Sequence, residues 1–205
     1  MAECIKCGAF TKYNGGLCIK CYNEKNNPPV VSKLETDDDE HNGLSDKERS
    51  FREGMIKGRI AETLIQELFL SLGYNVFRYG MENTIPGIME LLKGIHDEVA
   101  TEIRRMPDFV VQNPKTNNVH FIEVKFRASG KFTFRELKPN YPYTNAFIIL
   151  VSKRHIKCLS VSELAEGQEI TPESKNYLGN RKEFSLDKDV IIEFCNFALK
   201  FFENV

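Results

Sequence analysis

Pro107-Asp108 and, a short stretch further on, Glu123-Val124-Lys125 offer two carboxylates and one lysine at a spacing that can surround a single metal ion. Carboxylate oxygens suit hard divalent cations such as Mg²⁺, which keeps several waters and takes one or two protein carboxylates plus substrate phosphate. Such an ion lowers the pKa of a bound water and offsets charge building on a phosphate. Lys125 can orient that water or stabilise the transition state, and its pKa is depressed if burial dominates. The chemistry indicated is cleavage of a phosphodiester. The bland alternative is a surface hairpin whose Glu and Lys face water.

Positioning these groups requires a hairpin. Phe109-Val110-Val111 and residues 119–126 are short runs rich in Val, Ile and Phe, and Asn113-Pro114-Lys115-Thr116-Asn117-Asn118 between them is dense in turn formers. Residues two apart on a strand share a face, so Glu123 and Lys125 point one way while Ile122 and Val124 point into a core. With the turn centred near Thr116, Asp108 lies opposite Glu123 or Lys125, and opposed residues sit about 4.5–5.5 Å apart at Cβ.

Upstream, a helical segment opens with the capping-box pattern Ser45-Asp46-Lys47-Glu48 and closes at Gly73. Its apolar stripe runs through Ile56, Ile60, Leu64, Leu68 and Leu72, with Ile65 and Phe69 beside it. An alternating strand follows over residues 74–79. Beyond the hairpin come a short amphipathic stretch over 131–138 and an apolar strand over 146–151.

Pro107-Asp108 followed by Glu123-Val124-Lys125 resembles the signature of the PD-(D/E)xK nuclease superfamily. Helix, strand, hairpin, helix and strand, over residues 45–159, resemble its core in order. The resemblance implies an α/β, restriction-endonuclease-like fold with a central mixed sheet flanked by helices. It also implies a glutamate on the helix before the sheet, and Glu62, on the border of the apolar stripe between Gly58 and Phe69, answers to it. A solvated helical Glu is the other reading of Glu62. On the nuclease reading Asp108 and Glu123 hold Mg²⁺ or Mn²⁺. The Val124 carbonyl and Glu62 supplement them, directly or through water, and Lys125 assists the attacking hydroxide.

One departure from the family order is an inserted helix expected between Tyr79 and Pro107, with Ile88, Leu91, Leu92, Ile95, Val99 and Ile103 at helical spacing. Shaping substrate access, forming a dimer surface and capping the core are its open roles, with core packing preferred, and His96 beside the stripe reads as structural. At the C-terminal side, residues 163–181, with Gly167, Pro172 and Gly179, read as an irregular excursion. Residues 187–202 read as a final helix with Val190, Ile191, Phe194, Phe197, Ala198 and Phe201 on its apolar side.

Cys4-Ile5-Lys6-Cys7 and Cys18-Ile19-Lys20-Cys21 form two C-x-x-C pairs. Four thiolates at that spacing close a tetrahedral Zn²⁺ site, and so short a segment needs such a staple to fold. Disulfides are disfavoured, since no signal peptide precedes the cysteines and the chain reads as cytoplasmic. The segment looks like a Cys4 zinc ribbon over residues 1–25. Lys6, Lys12, Lys20 and Lys25 with Phe10 and Tyr13 suit contact with nucleic acid; holding a partner protein or docking on the catalytic body are open alternatives. Residues 26–44, with Pro28-Pro29 and Asp37-Asp38-Asp39-Glu40, read as a charged linker rather than a calcium loop, because EF-hand spacing is missing. Residues 45–205 then form the nuclease domain.

The chain has 205 residues, 41% of them hydrophobic, and a net charge of −1, with no apolar run long enough for a membrane. That balance excludes a protein that coats nucleic acid by bulk charge, but local clusters suffice for a nuclease. Arg104-Arg105, Arg127, Lys131, Arg135, Lys138 and Lys153-Arg154 flank the site in sequence and can line a phosphate groove. Arg127 and Lys131, following the ExK strand, are the expected substrate contacts. DNA is favoured over RNA, and a two-fold dimer is permitted. The reading from another class is a catalytically silent nucleic-acid-binding or assembly module of the same fold.

Overall fold

A computed structural model describes residues 2–4, 6–7, 10–11, 16–17, 21, 44–80, 87–88, 92–137 and 139–203. The expected linker lies outside these residues. The chain divides into two units, Met1–Gly43 and Leu44–Val205. In the first, β1 (Ala2–Glu3) pairs antiparallel with β2 (Phe10–Thr11). Cys4 directly follows β1, and Cys7 lies in the turn between the two strands.

The second unit opens with α1 (Asp46–Ser71). Ser45 caps it as the sequence predicts: its Oγ accepts the Glu48 N–H at 3.3 Å, and Glu48 Oε2 accepts the Ser45 N–H at 3.0 Å. The Ser45 hydroxyl, which also donates to Glu48 Oε2 at 2.7 Å, and then the Ser45 N–H hold the Glu48 carboxyl below its usual range. The helix stops at Leu72, where Gly73 takes the left-handed conformation at φ 80° and lets the Tyr74 N–H reach back to the Phe69 carbonyl at 3.0 Å. The buried stripe is Ala61, Leu64, Ile65, Leu68 and Phe69. It is rotated from the expected one, for Ile56 is 57% exposed and Ile60 and Leu72 only half-buried. Small Ala61 turns inward instead, which brings the helix axis close to the sheet.

Five strands form one mixed sheet: β3 (Asn75–Arg78), β4 (Phe109–Gln112), β5 (Val119–Phe126), β6 (Phe147–Val151) and β7 (Ile156–Ser160), in that spatial order. The expected hairpin is β4 and β5, with Phe109 opposite Ile122 and Gln112 opposite Val119. Its turn is centred at Lys115 and Thr116 as the register requires, with Asn117 at φ 59°. β5 and β6 run parallel, while every other neighbour is antiparallel. The crossover between them was expected to carry an amphipathic helix; it holds only a single 3₁₀ turn, Phe134–Glu136, after which Lys138 lies outside the described residues. β7 extends the sheet beyond the elements expected from sequence.

Both faces of the sheet are covered. On one, α1 and α4 (Lys188–Phe202) pack over Phe109, Val111, Ile122, Val124, Ile149 and Val151. On the other, Phe132, Leu137 and Ile170 join α3 (Val161–Ala165) over Ile148, Leu150 and Leu159. β6 is therefore buried at all five positions, as a central strand in a two-sided core must be.

The final helix starts as expected, capped by Asp187, whose carboxylate accepts the Asp189 N–H at 2.9 Å. It buries Ile191, Phe194, Ala198 and Phe202, with Phe202 stacked on Phe126 at 4.2 Å, and leaves Phe201 exposed.

The inserted segment departs from a single long helix. Gly94 at φ 77° breaks it, and Asp97 starts a new short helix, α2 (Glu98–Ile103), by accepting the Ala100 N–H at 2.7 Å. Ile88, Leu92, Ala100 and Ile103 make a small cluster of their own, while Ile95, Val99 and His96 are exposed and Leu91 lies outside the described residues. Residues 163–181 are irregular as expected apart from their first turn and a 3₁₀ turn at Leu178–Asn180. No helix among the described residues is long and apolar enough to cross a membrane.

Tyr74 ties three distant segments together. Its buried hydroxyl accepts from Asn113 Nδ2 at 3.1 Å and from the Ser185 N–H at 2.9 Å, joining the end of α1, the hairpin turn and the approach to α4. Tyr74→Phe leaves two donors unsatisfied and is expected to cost about 1–3 kcal/mol in urea unfolding, with the slope unchanged. A loss near zero would show that these bonds do not hold the segments.

Candidate active site

Asp108 sits one residue before β4, where the backbone ladder with β5 ends. Its carbonyl accepts the N–H groups of Tyr79 and Gly80 at 2.9 and 3.2 Å, which fixes its main chain against the exit of β3. Its side chain then continues the ladder, with Oδ2 accepting the Val124 N–H at 2.7 Å. The first carboxylate is thus pinned to the residue between the other two charged groups.

Glu123 and Lys125 project from β5 on the face opposite buried Ile122 and Val124, as period-two alternation requires. The Lys125 ammonium donates to Glu123 Oε1 in a close ion pair, and the Tyr141 hydroxyl donates to Glu123 Oε2 at 3.4 Å. The Glu123 side chain is 12% exposed and that of Lys125 31%, so the pair is shielded from bulk water without being sealed.

Charge and burial act together on this group. Burial first, and the Glu123 charge second, push the Asp108 carboxyl up to about 7, against the opposing pull of Lys125 and the Val124 N–H. The sequence left the Lys125 pKa to the balance between burial and its neighbours. Burial does pull it down, but the Glu123 and Asp108 carboxylates outweigh that pull and hold it above its usual range. Tyr141 is likewise held well above the usual phenol range, by burial and then by the same two carboxylates, so it remains a proton donor at neutral pH.

Glu62 is half-buried on α1, and its charge adds to the upward push on Asp108. Glu62, Asp108 and Glu123 do not form a group of three with ligand oxygens mutually within 4.8 Å. Two carboxylates with a more distant third match the needs of a cation that keeps several of its waters. The sequence reading gave Val124 a part through its carbonyl; the structure adds its N–H, which orients Asp108.

The flanking cations divide. Arg127 Nε is engaged by Glu136 Oε1 at 3.3 Å and its Nη1 by the Phe126 carbonyl at 3.0 Å, whereas Lys131 and Arg135 are exposed. Arg104 spends its guanidinium on the carbonyls of Leu92 and Ile95, at 3.1 and 2.7 Å, and Arg105 donates to the Asn140 carbonyl at 2.6 Å. Those two arginines hold loops rather than line a groove. Tyr141 escaped the sequence reading because it lies in the crossover, where no periodicity marks which side chain turns inward.

In the N-terminal unit, Cys4, Cys7 and Cys21 bring their sulfur atoms within 4.8 Å of one another. Tetrahedral thiolates at about 2.3 Å from a zinc ion lie roughly 3.8 Å apart, so this cluster fits a metal. Cys18, the fourth expected ligand, lies outside the described residues, as do Lys12, Tyr13, Lys20 and Lys25.

No family model, no curated protein and no solved structure matches this chain.

Asp108 carries a pH signature. Its folded pKa, about 7, lies above the unfolded 3.8, so between those values the folded chain holds a proton that the unfolded chain has released. Its contribution to stability therefore falls as pH rises from about 4 to about 7 in metal-free protein. Denaturation of wild type and Asp108→Asn across that range is expected to show the fall only in wild type; parallel curves would remove the assigned shift.

Proposed function

We propose that this chain is a metal-dependent nuclease of the PD-(D/E)xK, restriction-endonuclease-like kind, acting on DNA in preference to RNA. The observation that supports the reading most directly is the convergence of Asp108, Glu123 and Lys125, locked by the 2.7 Å bond from the Val124 N–H to Asp108. The order of α1, β3, the β4–β5 hairpin and the parallel strand β6 agrees with it.

Asp108 and Glu123 would hold Mg²⁺ or Mn²⁺, with the Val124 carbonyl and Glu62 as supplementary partners, Glu62 through water. A cation there supplies an acidified water and neutralises charge on the scissile phosphate. The chain's own groups do the positioning. The Val124 N–H fixes the rotamer of Asp108, and Tyr141 occupies the Glu123 oxygen that Lys125 leaves. Lys125 stays protonated beside the carboxylates and can move its contact to a phosphate oxygen or the attacking water as substrate arrives. Arg127 and Lys131 are assigned to the substrate backbone, with Arg127 first released from Glu136. The N-terminal cysteines are assigned to a structural zinc ion, with Cys18 as fourth ligand.

Cleavage of plasmid, linear, single-stranded and branched DNA and of RNA, with Mg²⁺ or Mn²⁺ and with EDTA, tests the activity. Wild type is expected to cut with the ion and not with EDTA, and Glu123→Ala and Lys125→Ala to lose roughly 10²-fold or more. Removing one member of a shielded pair can also destabilise the fold, so the double variant Glu123→Gln/Lys125→Gln and circular dichroism accompany them. Folded wild type that binds every substrate and cuts none would leave a silent binding module in place of an enzyme. Alanine variants that cut as well as wild type would refute the assigned residues.

Elemental analysis is expected to find one zinc per chain, lost in Cys7→Ser, with cleavage by the Leu44–Val205 unit's residues still requiring added Mg²⁺ or Mn²⁺. Metal-free protein whose N-terminal unit keeps its circular dichroism and protease resistance would exclude the structural role.

A further inference from the structure

A cavity of about 350 Å³ lies beside the proposed catalytic centre, between the turn that leaves β5 and the turn that joins β6 to β7. Ser129 and Gly130 line it from the first turn, and Ser152, Lys153, Arg154 and His155 from the second. Leu150 contributes to its wall and is the register neighbour of Lys125 across the parallel pair. The cavity therefore starts on the face of the sheet that carries Lys125, one strand away, about 4.8 Å in the hydrogen-bonding direction. It also lies beyond the carboxyl ends of the two parallel strands, where open α/β sheets characteristically receive ligands.

The walls are charged and pre-shaped. Lys153, Arg154 and His155 are consecutive, and neither Lys153 nor Arg154 forms an ion pair among the described residues. Ser152 fixes their turn: its Oγ accepts the N–H groups of Arg154 and His155, at 3.3 and 3.0 Å, and donates to the His155 carbonyl at 3.0 Å. Gly130 takes the left-handed conformation at φ 66°, which the first turn needs and which side-chain-bearing residues rarely adopt. Beneath them Lys157 is caged by the carbonyls of Thr171, Pro172 and Ser174, at 2.6, 2.9 and 2.7 Å, adding positive charge there, although burial pulls its pKa down against the opposing Glu173 carboxylate. Burial and the charges of Lys157 and Arg154 hold the His155 imidazole below its usual pKa.

We propose that this cavity is a phosphate-binding subsite, which holds one phosphate group of the polynucleotide whose scissile bond lies at Asp108, Glu123 and Lys125. The proposal deepens the nuclease reading and rests on it for the identity of the ligand. A compact anion satisfies two unpaired cations in a space at the small end of ligand pockets. The phosphate has two sources, an internal backbone position or a strand end.

Fluorescence anisotropy of labelled oligonucleotides, with Ca²⁺ in place of Mg²⁺, tests it on the full chain. The probes carry a 5′-phosphate, a 3′-phosphate or hydroxyl ends. Lys153→Gln/Arg154→Gln is expected to bind at least roughly ten-fold more weakly than wild type at ~0.1 M salt, with the salt slope reduced by about two and the melting temperature retained. Lys200→Gln, on exposed α4 surface, is expected to stay within about two-fold. A loss confined to one phosphorylated end assigns the cavity to that end, and an equal loss on all probes assigns it to an internal phosphate. Binding by the double variant equal to wild type, or an equal loss in Lys200→Gln, overturns the subsite. Wild type that binds through Lys153 and Arg154 without cutting removes the nuclease reading and leaves the subsite. Wild type that cuts, with KM unchanged in the double variant, does the reverse.

Discussion

Two carboxylates brought to one end of a covered sheet repel each other and resist the loss of water, so something positive or proton-donating must stand beside them. For Asp108 and Glu123 the chain supplies three donors: the Val124 N–H, the Lys125 ammonium and the Tyr141 hydroxyl. Each comes from a different structural decision. The first exists because β4 begins only at Phe109, one residue after Asp108, the second because β5 alternates, and the third because the crossover returns over the same face. Even so, burial first and the Glu123 charge second leave Asp108 shifted up to about 7, against the opposing pull of Lys125 and the Val124 N–H.

The sheet around the site makes that imbalance notable. Both faces are packed, and the row on β5 that carries Phe121, Glu123 and Lys125 faces the same side as Ile148 and Leu150 of β6, both buried. A sequence selected only for packing would continue that row with apolar side chains, as β6 does at all five positions. The polar break is confined to the end of the row, where the hairpin and the parallel pair meet. Local rules are typically broken where function is carried.

Much of this was legible in the sequence, and the reasons are local. The capping box at Ser45, the left-handed Gly73 and the hairpin turn at Asn113 to Asn118 are set by side-chain to backbone bonding over a few residues. Alternation on β5 placed Glu123 and Lys125 together without knowledge of the fold. What escaped depends on contacts between segments far apart in the chain. The stripe of α1 is rotated toward Ala61 because the sheet needs a small residue there, and Arg104 and Arg105 serve backbone carbonyls that no spacing reveals. The long inserted helix failed because apolar spacing was read across Gly94 and Asp97, which stop and restart it. Lys125 is shifted up because two carboxylates, one of them held just before β4, outweigh burial, a balance that sequence alone does not set.

The two ends of the site have opposite needs. At Asp108 and Glu123, with Glu62 adding its field, negative charge exceeds what Lys125 can neutralise, so that end attracts a cation or a proton. At the turn holding Lys153, Arg154 and His155, positive charge is unpaired and raised further by Lys157, so that end attracts an anion. Leu150, beside Lys125 in the register, separates them by about one strand spacing. A phosphodiester chain accompanied by a divalent cation satisfies both ends at once, whereas a small neutral ligand satisfies neither. The polarity of the crevice, more than any one side chain in it, is what supports the proposal of a polynucleotide substrate.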